Sequence, residues 1–484
     1  MKNTSECGKE KNSGLTRRQF VTGAALSAAG IMIVPRHVLG GPGYVPPSDR
    51  LNIAAVGVGG QGQGILERAC GFDKTNGQTR ENVVALCDVD DVRAANTYKQ
   101  YPKAKRFKDF RKMLSEMGKG IDAVMVATPD HTHAVIAMTA MQLGKHVYVE
   151  KPLTHNIYEA RMLTEAARKY KVVTQMGNQG NSSDDVRKIC EWIWTGAIGD
   201  VRSVQTWTNR PIWPQGVPTP TDTPPVPNTL DWDLWLGPAP MRAYNPRYLP
   251  FKWRGWWDYG TGSLGDMACH IIDPVFKALK LGYPTSVEAS VGAVFIDDFK
   301  MAETPDSCPP SSIIHFEFPA RASMPGLKLS WYDGGLMPQR PVELKDSEEM
   351  GDRNGGVIFE GDKGKIMCGC YASNPRLLPT SLMESYPFPK PFIERVQGGH
   401  QGSWVAACKG DGPVPSSNFD YAGPLTETIL MGNLAIRSLN LKDASGAPGK
   451  RKLLWDGANM RITNFEPANA FVKREYRQGW SLGA

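Results

Sequence analysis

The chain lacks most of the features that would assign it to a simple functional class. Its nine cysteines are scattered, with no C-x-x-C, and Cys368 and Cys370 are the one close pair. That excludes a disulfide framework and leaves room for an occasional bridge at most. The eight histidines do not fall at zinc spacing with cysteines; His131 and His133 are the nearest pair, and no metal site is expected. Net charge is +7, from 56 basic and 49 acidic residues, and no basic run gathers it, so there is no nucleic-acid footprint. No apolar run reaches the ~20 residues a bilayer span needs. No internal repeat is evident. What remains is an ordinary soluble composition, 41% hydrophobic and 22% charged, over 484 residues, enough for two domains with a large core.

The first fifty residues read differently from the rest. Thr16-Arg17-Arg18-Gln19-Phe20 is a twin-arginine pattern, followed by a modestly apolar segment from Val21 to Val34. That segment suits a signal-peptide core, with a plausible cleavage site at Val38-Leu39-Gly40. Residues 1–40 are therefore expected to be a twin-arginine signal and residues 41–50 a linker. The protein is expected to be periplasmic or otherwise exported through the twin-arginine machinery, with no membrane span once the signal is removed.

The organising stretch is Leu51 to Gly64. An apolar run from Ile53 to Val58 leads into Gly57, Gly59 and Gly62, a G-x-G-x-x-G after a strand and before a helix. In such a loop the first glycine makes the turn, the second lets backbone approach a pyrophosphate, and the third lets helix and strand pack closely. The confirming acidic residue is Asp88, at the end of the next strand, Val83 to Leu86. Its extra distance from Gly62 is taken up by the polar stretch Asp73 to Asn82. A dinucleotide site follows, and Asp88 favours NAD over NADP because it accepts from a ribose 2′-hydroxyl and repels a 2′-phosphate.

From residue 51 the pattern alternates strand and helix: strands at Ile53 to Val58, Val83 to Val89, Asp122 to Ala127, His146 to Val149 and Val172 to Met176; helices at Gly64 to Ala69, Asp91 to Gln100, Phe107 to Met117, His133 to Leu143 and Ile157 to Tyr170. This predicts an α/β fold with a doubly wound parallel Rossmann sheet over residues 51–178. Beyond residue 200 the segments become strand-rich and the loops long. Residues 179–484 are expected to form a second α/β domain with an open, mostly antiparallel sheet and a late helix from Leu425 to Leu441. Nine of the thirteen tryptophans lie between Trp192 and Trp257, around an irregular Pro-rich stretch. Packing accounts for most of them; Trp213, Trp253, Trp256 and Trp257 are candidates to line a cleft and stack on sugar faces.

Two further clusters could carry chemistry. Glu150-Lys151-Pro152 follows the strand His146 to Val149, and ligands in doubly wound sheets bind beyond the carboxyl ends of strands. Lys151 is either a proton-handling group near the cofactor's reactive end or a surface lysine paired with a carboxylate. Asp266 and His270 are four apart and share a face if helical. They are either a proton-transfer pair, with the Asp orienting the imidazole, or a capping Asp and a core His. Asp273 reads as structural.

Together these residues resemble the Gfo/Idh/MocA family, the glucose–fructose oxidoreductase and inositol dehydrogenase group. The likeness runs from Leu51 to beyond Lys280 through the glycine loop, Asp88, the TPDHTH segment, the GKHVYVEKP segment and Asp266 with His270. It implies that Lys151, Asp266 and His270 are catalytic, with a cis bond possible into Pro152. It implies that Gly57, Gly59, Gly60, Gln61, Gly62, Asp88, Thr128, Pro129, His133, Glu150 and Lys151 bind the cofactor. Ala268 stands where many members have glycine. The stretch from Gly177 to Asn181 and the Trp-rich loop look like an exported subgroup acting on sugars, which adds Asn178, Trp213, Trp256 and Trp257 as substrate candidates. A homo-oligomer, dimer or tetramer, is usual for the family.

Export bears on mechanism, because free NAD(P) is scarce outside the cytoplasm. A tightly held, internally recycled cofactor is expected. Three functions remain open: an oxidoreductase acting on a sugar, polyol or glycoside; an NAD-dependent glycosidase working by transient oxidation and elimination; and a non-catalytic sugar-binding protein.

Overall fold

The computed structural model describes residues 49–386 and 388–483. The twin-arginine pattern and the signal segment lie outside them.

The first strand, β1 (Asn52–Val56), feeds the glycine loop and α1 (Gln61–Cys70). Then come β2 (Asn82–Cys87), α2 (Asp91–Gln100), β3 (Lys105–Phe107), α3 (Phe110–Met117), β4 (Ala123–Val126), α4 (Asp130–Gln142), β5 (His146–Val149), α5 (Ile157–Tyr170) and β6 (Thr174–Met176). The six strands form one parallel sheet in the order β3-β2-β1-β4-β5-β6. That is the doubly wound dinucleotide-binding order, with its crevice beyond the carboxyl ends of β1 and β4. Side-chain alternation along β1 splits the core: Ile53 and Ala55 face one layer, Ala54 and Val56 the other.

The helix starts depart from the sequence reading in an instructive way. Helix α1 begins at Gln61, three residues before Gly64, because Gly62 is taken into its first turn. Helix α4 begins at Asp130 rather than His133, set by Pro129 at its N-cap. For α5 the expected cap is present: Asn156 Oδ1 accepts from Glu159 N at 3.0 Å, while Glu159 returns a bond to His155 N.

The second part continues through α6 (Asp184–Trp194), β7 (Val201–Thr208), the short α7 (Trp232–Leu236), α8 (Gly262–Ile271) and α9 (Asp273–Ala278). Strands β8 (Ser286–Val291), β9 (Phe295–Asp297), β10 (Lys300–Met301), β11 (Ser312–Phe318), β12 (Leu327–Tyr332), β13 (Gly355–Gly361), β14 (Lys365–Gly369) and β15 (Arg376–Leu378) follow. The chain ends with α10 (Thr380–Ser385), α11 (Gly399–Cys408), α12 (Phe419–Ser438), β16 (Leu453–Asp456) and β17 (Arg461–Ile462). A nine-stranded sheet has the order β15-β14-β13-β7-β12-β11-β8-β16-β17. Every pairing in it is antiparallel except β7 with β12. The largest core cluster lies between the two sheets, where α4, α8 and α12 bury residues on nearly every face.

Two features were not expected. Helix α12 starts at Phe419, with Pro424 inside it and Asn418 as its cap. The helix thus begins six residues before the expected Leu425, and Pro424 forfeits one backbone hydrogen bond inside it. Helix α11 packs Trp404 and Val405 into the outer core of the first sheet, beside Ile53 and Tyr148. The last hundred residues therefore complete the first layer. The eight described cysteines are free, and no metal-ligating cluster occurs among the described residues. No described helix is long and apolar enough to cross a membrane.

Candidate functional site

A cavity of about 450 Å³ opens beyond the carboxyl ends of β1, β2, β4 and β5 and runs to α8. At one end it is lined by Gly57, Gly59, Gln61 and Asp88; past Thr128 and Pro129 it reaches Glu150, Lys151, Asp266 and His270. The topology thus brings into one space groups that lie far apart in the chain.

The glycine-loop end fits a dinucleotide. Gly57 has φ +78°, and a Cβ on it would meet the backbone of Ala127 and Thr128 at 2.7 Å. A Cβ on Gly62 would sit 2.0 Å from the Gly57 carbonyl oxygen. Gly60 caps α1 without any side-chain bond, and the first turn carries no acid. Gly62 N is used on the Gly59 carbonyl at 3.2 Å; the other first-turn N–H groups carry no side-chain cap and suit an anion such as a pyrophosphate. Asp88 Oδ2 accepts from Val58 N at 2.9 Å and Gly59 N at 3.2 Å, and Oδ1 accepts from Asp90 N at 3.0 Å. Burial pushes its pKa up while these bonds oppose the shift. A carboxylate has about four acceptor positions, so one remains for a ribose hydroxyl. His133 does not line the cavity. It is buried with Nε2 2.8 Å from the Thr128 carbonyl and Nδ1 2.9 Å from the Pro152 carbonyl, and the neutral ring donates to one of the two. Burial holds it neutral, at about 4.

At the other end, Lys151 Nζ donates to Asp266 Oδ1 at 2.8 Å and to the Asp266 carbonyl at 2.7 Å. The Lys151–Pro152 bond is cis, as the family resemblance suggested. Arg254 Nε donates to the same Oδ1 at 3.0 Å, and Arg210 Nε stands 3.9 Å from Oδ2. Burial raises the Asp266 pKa, but the Lys151 and Arg254 charges and hydrogen bonds overcome it and hold the carboxyl well below its usual range. The reading in which Asp266 orients the imidazole is corrected here: its side-chain hydrogen bonds, both on Oδ1, go to Lys151 and Arg254, and none goes to His270.

His270, one turn further along α8, is 4% exposed, and its Nδ1 is buried without a partner. Burial, with the Lys151 charge adding to it, pushes its pKa well below 6.5, so the ring is a neutral base at working pH. Tyr371 lies against it, ring centroids 4.6 Å apart. Tyr371 and Ala372 hold φ of 62° and 61°, a left-handed conformation unusual for residues with a Cβ. Asp130 and Glu150, also on the cavity wall, are each pushed by burial to about 7, with Thr261 donating to Asp130 at 2.6 Å. Asp273 is structural: its Oδ1 accepts from Asn181 and Tyr421.

The four substrate candidates do not line this cavity. Asn178 is buried and accepts from Ser417 Oγ at 2.6 Å. The Trp213 indole donates to Gln215, and the Trp256 indole donates to the Arg247 carbonyl within an aromatic cluster. Trp257 faces a different cavity. The residues that do line the substrate end, and that sequence reasoning did not pick out, are Arg210, Arg254, Gln179, Tyr371 and Trp235; Trp253, a cleft candidate, is there as well. The one available signal was the density of Arg and Trp between 207 and 257.

Comparison with known proteins agrees with this architecture. Residues 51–178 match the oxidoreductase family model for an NAD-binding Rossmann fold, and residues 201–297 match that family's C-terminal alpha/beta domain. A glycosyl hydrolase family 109 protein of Shewanella pealeana is 26% identical over 208 residues, 39% of this chain and 44% of the relative. A levoglucosan dehydrogenase of Pseudarthrobacter phenanthrenivorans is 26% identical over 193 residues, 39% of this chain and 40% of the relative. The chain thus spans less than half the length of these curated relatives. In fold it is similar to the WlbA dehydrogenase of Bordetella pertussis solved with NADH and UDP-GlcNAcA, with TM-score 0.52, 17% identity, and coverage of 79% of this chain and 95% of that one. Both domain models of the Gfo/Idh/MocA oxidoreductase family, the NAD-binding Rossmann fold and the C-terminal α/β domain, are thus matched in order by this chain, on the first sheet and on the part that carries α8.

Proposed function

We propose that this protein is an NAD-dependent oxidoreductase that moves hydride to and from a carbinol carbon of a sugar, polyol or glycoside. The observation that carries the reading is the single cavity joining the glycine loop to Lys151, Asp266 and His270. NAD supplies the hydride acceptor there. The chain's residues supply the rest. Neutral His270 takes the hydroxyl proton as the C–H hydride leaves, so that the alcohol becomes a carbonyl. Lys151, fixed by Asp266, places a positive charge where the alkoxide develops, and Arg254 fixes Asp266 in turn. Glu150 and Gln179 each hold a buried, unpartnered Oε1, suited to accepting from donors on cofactor or substrate.

Export by the twin-arginine route is part of this proposal, supported by Thr16 to Phe20. A cofactor loaded before export and regenerated within each cycle follows from it. The family 109 relative favours a second reading with the same residues. Oxidation of one ring carbon acidifies the neighbouring C–H; proton loss expels the aglycone; water adds; and the carbonyl is reduced by the hydride first removed.

The test is an absorbance and mass-spectrometric scan of purified protein before and after adding sugars and aryl glycosides. Bound NAD that becomes NADH with one sugar and returns with a second supports the oxidoreductase. Aglycone release without lasting cofactor change supports the second reading. A protein that holds no dinucleotide and cannot be loaded with one defeats both.

A further inference from the structure

A second cavity, of about 460 Å³, lies on the other side of the Gly260–Thr261 segment that leads into α8. None of Lys151, Asp266 and His270 lines it. Its polar wall carries donors without acceptors. Asn156 is 7% exposed, and its Nδ2 is buried without a partner. Arg474 spends Nε and one Nη on Glu159, leaving its other terminal nitrogen, Nη1, buried and unpartnered. Both ring nitrogens of His155 lack a partner with hydrogen-bond geometry. A buried donor left unpaired costs about 1–3 kcal/mol, and the residues carrying these atoms, Asn156, Arg474 and His155, all line this one cavity.

The charge at the cavity has the same sense. Arg437 forms no ion pair among the described residues; its guanidinium lies 4.2 Å from the Phe471 ring centroid and 5.6 Å from that of Trp257. Lys473 lies over the Tyr158 ring at 4.3 Å. Arg437, Lys473 and the one acid on the wall, Glu475, are all exposed, so solvent screens each of them alike, and two cations stand against one acid at the rim. The rest of the wall combines Ile157, Leu430 and Leu434, beside the two aromatic rings, with Thr261 and Asn433, whose Nδ2 donates to the Thr261 carbonyl.

We propose that this cavity is a binding site for a small organic anion, its oxyanion head held by Asn156, Arg474 and Arg437 and its body lying between Trp257 and Phe471. Several N–H donors around one oxyanion satisfy the groups the fold leaves open. The site is separate from the reaction cavity but shares a wall with it. Thr261 lines the second cavity, and its hydroxyl donates to Asp130, which lines the first.

The experiment is calorimetric titration of the full, NAD-loaded protein with inorganic phosphate, the loading keeping the probe off the glycine loop. Asn156→Asp is the informative variant. It retains the Oδ1 that accepts from Glu159 N and caps α5, while replacing the free donor with a negative charge. Arg437→Gln is the second, because Arg437 makes no ion pair that folding depends on. The expected result is binding that weakens at least about tenfold in each variant, equivalent to about 1.4 kcal/mol, and is unchanged in Lys151→Met. Absence of phosphate binding in the wild type, or equal affinity in wild type, Asn156→Asp and Arg437→Gln, overturns the proposal. Neither result bears on hydride transfer, which is measured separately.

Discussion

Asp266→Asn is the sharpest perturbation of the proposed chemistry. The carboxylate is 10% exposed and holds Lys151 and Arg254, which are 14% and 20% exposed. Removing one member of a buried ion cluster costs about 3–5 kcal/mol, because the partners keep their charge without compensation. The lower figure applies, since the Asn oxygen still accepts one hydrogen bond and Lys151 keeps its 2.7 Å bond to the backbone carbonyl. At about 2.1 cal/mol/K of unfolding entropy per residue, a unit the size of Leu51–Ala484 melts with about 0.9 kcal/mol/K, so about 3 kcal/mol lowers Tm by about 3 °C. The pH dependence is more telling. The folded pKa of Asp266 is depressed, so its stabilising contribution is complete above about pH 5 and is lost as pH falls below about 4. Scanning calorimetry of wild type and variant should show a constant gap from pH 8 to about 5 that closes on further acidification. Turnover should fall about a hundredfold from misplacement of Lys151. Equal melting temperatures at pH 7, or a gap that does not close in acid, would refute the cluster as described.

Three other outcomes are expected. His270→Ala should lower kcat by about 10²–10⁴-fold while leaving bound NAD in place, and the wild-type acid limb should lie below the ordinary histidine range, since burial depresses this histidine. Gly62→Ala drives a Cβ against the Gly57 carbonyl, so purified variant should carry little or no dinucleotide by mass spectrometry and should melt lower. Asp88→Ala removes one acceptor from the ribose and frees two loop N–H groups; NAD affinity should drop about tenfold in titration while NADP binding improves relative to it.

Legibility in the sequence followed the range of the interactions. The Rossmann half could be read because each signal is local: G-x-G-x-x-G, a strand, an acid at the strand end, and a regular alternation of elements. Position in the fold also placed Lys151 beyond β5, since ligands gather at that edge of any doubly wound sheet. Its partner could not be read. Lys151 and Asp266 are 115 residues apart, and whether the lysine meets solvent or a carboxylate depends on how α8 docks. Arg210 and Arg254 come from irregular backbone with no period to follow, and Tyr371 is delivered by a left-handed turn after β14 whose sequence, Cys370-Tyr371-Ala372, has no glycine to announce it. The tryptophans show the limit from the other side. Composition marked the right region, but a tryptophan is as good at filling a core as at stacking on a sugar. Burial does not separate the two roles: Trp235, Trp253 and Trp256 share one buried aromatic cluster, yet Trp235 and Trp253 also line the reaction cavity and Trp256 does not, while Trp257 lines the second cavity.

The same distribution explains why the substrate end is built from the second half of the chain. The first sheet supplies a fixed edge, and in the proposed function what it places there, from Gly57 to Lys151, serves the cofactor and the hydride transfer. Selectivity must come from groups that can vary without disturbing that edge. Arg210 follows β7, Arg254 lies in the long loop before α8, and Tyr371 sits on a strained turn between β14 and β15. None of the three belongs to a strand or an α-helix. Arg254 also holds Asp266, so it is tied to the chemistry; substituting Arg210 or Tyr371 instead changes the cavity wall without removing a core layer, so under the proposed function the substrate recognised can change while the hydride chemistry stays in place.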